Sequence, residues 1–245
     1  MTLKYPRLIF ASCLIFWCLA YTAQSQTVDE IITRHLKARG GKEAVESINS
    51  IKITGKTSIV SGDTPFRLYY KKPNKYRMEV ELMGKKIIQA FDGVNGWYVN
   101  PISNIDKPTD MPQEMLKSFR NQTNILETPL IDYKKRGIAI TLAGKEKVGS
   151  SLCHKLKVTM KEGNQTIYMF IDTKTYLNMK NLSYMTMNSK EVKLEIIFKN
   201  YKKIGLMNIP HITETKMSGR DLGRLVFEKV EMNVNIEDSI FKKPN

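Results

Sequence analysis

The chain has 245 residues, 42% of them hydrophobic, with 39 Lys+Arg against 24 Asp+Glu and a net charge of +15. That hydrophobic share excludes a disordered chain, and three cysteines are too few for a disulfide-stapled scaffold. A balance this basic raises nucleic acid as a partner, yet the positive residues fall in scattered pairs such as Lys71-Lys72, Lys85-Lys86 and Lys202-Lys203 and form no stripe on one helix. Two readings of these pairs stand: solvated lysines at strand ends that discourage edge-to-edge pairing, and attraction to anionic lipid headgroups.

In chain order, the first feature is a secretory signal. Lys4 and Arg7 precede an apolar run over residues 8–20, and Ala23-Gln24-Ser25 supplies the small residues of a cleavage site. Residues 1–25 are therefore expected to be a signal peptide and residues 26–245 a single soluble domain working outside the cytoplasm, where nucleic acid is no partner. About thirteen apolar residues are too few to cross a bilayer as a helix, and Cys13 and Cys18 lie inside the run, not beyond it where a lipid anchor would be attached. Loss of Lys4 and Arg7 leaves a charge of +13, and the one remaining cysteine, Cys153, excludes an internal disulfide.

Thr27 and Glu30 form a capping box, and Val28, Ile31, Ile32, His35 and Leu36 recur at helical spacing until Gly40-Gly41. A short second helix is expected over residues 42–48. The period then becomes two: Ile51, Ile53, Thr57 and Ile59 alternate with Lys52, Thr54, Lys56 and Ser58, a half-buried strand. Turn signals recur at Lys72-Pro73-Asn74, Met83-Gly84, Asp92-Gly93 and Ser218-Gly219, which predicts an antiparallel meander of roughly ten or eleven strands. Prolines 101, 108 and 112 interrupt it, followed by a helix expected over residues 111–121 with Met111, Met115, Leu116 and Phe119 as its stripe. Two roles are open to that helix, a movable lid and a fixed piece of core.

A sheet with so many strands curls or splits, and a curled sheet has a concave side. Ile87, Ile88, Ala90 and Phe91, and residues 167–171, are apolar on both faces, so these strands need a core on one side and a helix or ligand on the other. Methionines are frequent in the strands (Met78, Met169, Met185, Met217), either as ordinary core or as an adaptable apolar surface. Catalytic patterns are missing. His35, His154 and His211 have no metal-ligand spacing, and Cys153 and His154 are sequence neighbours that a strand sends to opposite faces. The sequence points to a non-enzyme with no cofactor and no metal.

The run from Phe66 to Arg77, with Lys71-Lys72-Pro73-Asn74, then Phe91-Asp92-Gly93 and Trp97-Tyr98, and the ending Phe241-Lys242-Lys243-Pro244 resemble the LolA-type outer-membrane lipoprotein-sorting proteins. The resemblance implies a mostly β fold with helices (α+β), a curled antiparallel sheet forming an incomplete β-barrel covered by helices. It further implies a periplasmic carrier that shields the acyl chains of lipids or lipoproteins, with envelope membrane or protein partners. Cavity candidates are Tyr76, Met78, Phe91, Trp97, Met115, Leu116, Phe119, Met169 and Met185. In the family's carriers an arginine before the turn proline helps hold the lid closed. Here that position is Lys72, which lacks the planar fork. An envelope sensor of the same fold, binding a protein or peptide without carrying lipid, is the alternative. Intact-mass analysis of the exported protein is expected to give a chain starting at Gln26 with one thiol and no added diacylglycerol; retention of residues 1–25 would contradict the cleavage site.

Overall fold

The computed structural model describes residues 26–58, 62–116, 128–161, 165–187 and 190–244. The expected signal peptide and Phe119 lie outside these residues. Helix α1 (Val28–Arg39) starts at the expected capping box: the Thr27 hydroxyl accepts from the Glu30 amide at 3.2 Å and the Glu30 carboxylate accepts from the Thr27 amide at 3.0 Å. It ends at Gly40, whose φ of 124° and whose approach to the Leu206 carbonyl leave no room for a side chain; a Cβ there would lie 2.3 Å from that oxygen. Helix α2 (Gly41–Glu46) follows at once, and it is shorter than the expected span of 42–48.

Among the described residues thirteen strands follow, in one antiparallel sheet. They are β1 (Ser50–Ser58), β2 (Thr64–Lys71), β3 (Lys75–Leu82), β4 (Lys85–Phe91), β5 (Gly96–Asn100), β6 (Ile105–Asp110), β7 (Ala139–Val148), β8 (Ser151–Thr159), β9 (Thr166–Asp172), β10 (Asn178–Met187), β11 (Lys190–Ile204), β12 (Met207–Met217) and β13 (Arg220–Met232). Their order is β6-β5-β4-β3-β2-β1-β13-β12-β11-β10-β9-β8-β7, so the sheet is two meanders joined at a β1–β13 seam, and it does not close. The count exceeds the ten or eleven expected. One added strand is β6, which contains Pro108. An edge strand has a free side where a missing N–H costs no ladder bond. The helix expected over 111–121 is present as a helical turn at 113–116; residues 117–121 lie outside the described set.

Register and alternation sort the side chains onto two faces. Both helices pack on one of them, the inner face. Ala44 of α2 and the following Ile48 cover Ile51, Ile53, Phe66, Leu68, Tyr70 and Val80, and Ile31 and Ile32 of α1 cover Leu156, Val158, Met169 and Ile171. The outer face is solvated and charged: Lys155 pairs with Glu146 at 2.8 Å, and Lys180 reaches Glu195 at 3.4 Å. The run over residues 167–171, apolar on both sides, is thereby accounted for. Met169 lies under α1, while Phe170 on the other side is covered by the Lys180 ammonium 4.2 Å above its ring.

A second cover on the outer face comes from the C-terminus. The 3-10 turn Asp238–Phe241 is strapped across β2–β5: Lys71 and Lys75 hold the Asp238 carboxylate at 2.7 and 2.6 Å, Arg77 donates to the Ile240 carbonyl at 2.6 Å, and the Trp97 indole donates to the Phe241 carbonyl at 2.8 Å. The two lysines hold the Asp238 carboxyl at about 2, well below its ordinary value. Phe241 itself is wholly buried. Its replacement by alanine is expected to cost about 3–5 kcal/mol. It is also expected to shift the emission of Trp97, the one tryptophan of residues 26–245, to longer wavelength as water reaches the indole; chemical denaturation followed by fluorescence measures both effects.

Candidate functional site

Among the described residues the inner face is only partly covered, and the gaps define the site. In the β1–β5 half, α2 covers the end near the Lys72-Pro73 turn. The segment at 111–116 covers Phe91, with Met111 and Leu116 packed beside Tyr76 and Tyr98. Gly96 makes this docking close, since a Cβ there would lie 2.6 Å from the Met111 sulfur and 2.8 Å from Leu116. Toward the opposite end of the same strands an open cavity of about 270 Å³ remains, lined by Thr57, Thr64, Met78, Val80, Leu82, Ile87, Gln89, Asn100 and Ile102. Its aliphatic walls and few polar groups are the usual make-up of a small-ligand or acyl site.

The β11–β13 part of the inner face carries a row with the same character. Val192, Leu194, Ile196 and Phe198 point inward from β11, alternating with Lys193, Glu195, Ile197 and Lys199, and Leu194, Ile196 and Phe198 pair across to Met217, Thr215 and Thr213 of β12. These apolar side chains are half-buried, and among the described residues Val192, Leu194, Ile196 and Met217 belong to none of the buried clusters. They form an apolar trough.

The expected cavity residues divide accordingly. Met78 lines the cavity, and its sulfur accepts from the Tyr76 hydroxyl at 3.5 Å; burial pushes the Tyr76 phenol above its ordinary pKa. Phe91 and Leu116 are on the inner face but packed against one another, not open. Met169 is 3% exposed beneath α1. Met185 lies on the inner face near the end of β10, and it and Met115 are exposed at 37% and 38%. Trp97 is on the other face: β4 pairing sets it opposite Ala90, in line with Arg77 and away from Phe91, under the C-terminal turn. Lys72 donates to the carbonyls of Val45 and Glu46 at 3.0 and 2.6 Å. It thus binds the C-terminal end of α2, where a cation is favoured, and not the segment at 111–116. The residues that sequence reasoning passed over are the aliphatic ones, Val80, Leu82 and the β11 row, while Ile87 was singled out only as part of a strand apolar on both faces. Alternation over residues 192–199, broken at Ile197, was the available signal.

The polar groups offer little chemistry. Cys153 and His154 are on opposite faces, the first packed with Phe170 and Leu182, the second stacked on Tyr176 at 6.2 Å. Burial pushes the Cys153 thiol up to about 11, which leaves little thiolate at neutral pH. Among the described residues no group of three or more His, Cys, Asp or Glu side chains could hold a metal ion, and no helix is long and apolar enough to cross a membrane.

Comparison with known proteins places this architecture. No protein-family model matches the sequence, and no curated protein does. Solved structures match along most of their length. They include a LolA superfamily protein from Nitrosomonas europaea (10% identity, TM-score 0.57, 89% of this chain and 99% of that one). A DUF1329 family protein from Desulfovibrio piger matches at 13% identity and TM-score 0.61, over 89% of this chain and 98% of its own. An outer membrane lipoprotein-sorting protein domain from Vibrio parahaemolyticus matches at 12% identity and TM-score 0.59, over 87% and 95%. The fold is LolA-like, and at 10–13% identity the likeness is one of fold.

His35 gives the site a pH signature. Its Nδ1 lies 2.7 Å from the Tyr176 carbonyl, its ring is 1% exposed, and desolvation pulls its pKa down to about 4, with Arg39 adding to the shift. A histidine held neutral when folded binds its proton only when unfolded between pH ~6.5 and ~4. Stability from this residue is therefore present above pH ~6.5 and is lost as pH falls through that window, on the order of 3 kcal/mol in total. Urea unfolding of wild type and His35→Gln between pH 7 and 4 is expected to show a shallower pH dependence in the variant.

Proposed function

We infer that this chain is an exported envelope carrier that shields acyl chains of lipids or lipid-modified proteins against the inner face of its curled sheet. The observation that carries the reading is the uncovered apolar surface there: the cavity lined by Met78, Val80, Leu82 and Ile87, and the half-buried β11 row of Val192, Leu194, Ile196 and Phe198. Apolar surface of this kind gains about 25 cal/mol for each Å² withdrawn from water, and an acyl chain is the ligand that gains most from covering it. The leader at residues 1–25 and the basic charge of the remainder support a periplasmic site of action next to anionic membranes. The LolA-like fold is consistent with lipoprotein cargo.

The test is direct. Native mass spectrometry of protein purified from its own host's envelope is expected to show co-purifying acyl species. Ile87→Trp, which fills the cavity from one wall, is expected to reduce lipid uptake severalfold while leaving the fold intact by circular dichroism. Trp97 sits on the opposite face, so its emission is expected to stay constant during loading. Protein that never carries acyl chains, yet captures an envelope peptide, would replace this reading with the sensor.

A further inference from the structure

A second cavity, of about 180 Å³, lies between the last turn of α1 and the inner face of β10–β12, lined by His35, Arg39, Thr128, Pro129, Met169, Asn178, Asn181, Phe198, Tyr201 and Pro210. It differs from the first in being polar, and its polar groups are not satisfied. The His35 Nδ1 faces a carbonyl oxygen, which can only accept, so Nδ1 carries the hydrogen and Nε2 of the neutral ring is an acceptor. That Nε2 is buried without a partner. Asn178 donates its amide to the Asn181 side chain at 2.8 Å, which leaves its own buried Oδ1 without a partner. Tyr201 spends its hydroxyl on the Asn178 backbone carbonyl at 2.6 Å.

Arg39 completes the set. Among the described residues its guanidinium makes no ion pair and no hydrogen bond, and desolvation lowers its pKa from the ordinary value. The C-terminus of α1 favours a cation, which accounts for a basic residue at that point. Arg39 is half-buried at the mouth of the cavity it lines, and with no carboxylate beside it the guanidinium is open to an anion that enters there. Two buried acceptors and one unpaired cation therefore ask for a ligand bearing both a negative charge and hydroxyl donors. Phe198 links the cavity to the trough: on the same strand and the same face, Ile196 and Leu194 come next.

We propose that this cavity binds the anionic, hydroxyl-bearing headgroup of an amphiphile, a phosphoglycerol-like group, whose acyl chain lies along the β11 trough. Arg39 takes the phosphate, and headgroup hydroxyls donate to His35 Nε2 and Asn178 Oδ1. The proposal rests on the acyl-binding reading above and adds a head-first orientation and a charge preference to it. About six waters, at ~30 Å³ each, would also fill the space, and they would confer no preference among lipids.

Three probes separate the possibilities: lysophosphatidylglycerol, lysophosphatidylcholine with the same acyl chain, and chain-free glycerol phosphate. Choline has no N–H or O–H to donate and cancels the phosphate charge. The full mature chain is expected to bind lysophosphatidylglycerol about tenfold or more tightly than lysophosphatidylcholine, the order of one charge-assisted hydrogen bond, and glycerol phosphate far more weakly than either. Arg39→Gln is expected to weaken lysophosphatidylglycerol severalfold more than lysophosphatidylcholine and so to narrow the preference, and Arg39→Lys to restore part of it. Equal binding of both lysolipids by wild type would overturn the headgroup site and leave the carrier intact. Binding of neither would overturn both. Glycerol phosphate bound as tightly as lysophosphatidylglycerol would show an anion site indifferent to the chain and would also overturn the proposal.

Discussion

Among the described residues, a single sheet of thirteen strands has more apolar inner surface than two helices of twelve and six residues and the segment at 111–116 cover. The rest of the molecule follows from that shortfall. The outer face meets water with cross-strand charge pairs such as Glu146–Lys155 and Lys180–Glu195, as antiparallel sheets commonly do. On the inner face α1 and α2 are spent at one end of the strands, over Leu156 and Ile171 on one side and Ile51 and Phe66 on the other. Aliphatic side chains further along those strands are left half-covered. Such a surface marks a binding site in a stable protein, since apolar patches of any extent are otherwise an aggregation liability.

β6 and β7 are consecutive in sequence yet sit at opposite edges of the sheet, and the segment between them is described only at its ends. Its described ends both lie on the inner side, Met111 and Leu116 against Phe91 and Leu130 and Ile138 beside α1. The edges do not pair with one another. β6 carries Pro108 with Asp106 and Lys107, and β7 has a bulge between Leu142 and Lys145, devices that make a strand a poor template for another chain.

Local features of this fold were readable in the sequence because they depend on near neighbours. The capping box, the Gly40-Gly41 stop and the alternation of β1 all specify themselves within a few residues. Alternation also tells which residues share a face; it does not tell which face is concave. Trp97 was assigned to the cavity for that reason, and only the docking of Phe241 settles its side. The proline-rich stretch from 101 to 112 read as an interruption because proline ends most elements, whereas an edge position tolerates it. Methionines drew attention as adaptable residues, and Met169 both packs under α1 and lines the second cavity. The cavity walls are mostly Val, Leu and Ile, which look like any other strand interior until the helices are seen to miss them. The unsatisfied state of His35, Arg39 and Asn178 was equally hidden, since it is a property of contacts between α1 and strands more than a hundred residues away.

The β1–β13 seam, which sets Ile51 against Met232, makes the two halves of the sheet unequal in time. A chain emerging from its N-terminus can zip β1 to β6 hairpin by hairpin, and later β7 to β12, with only local loops to close. Until the last strand appears, β1 presents a bare edge whose side chains include Ile51, Ile53 and Thr57. The outer strap that holds Trp97 arrives later still. Whatever escorts this chain while it is incomplete must therefore guard β1, a central strand in the finished protein and an exposed one for most of its synthesis.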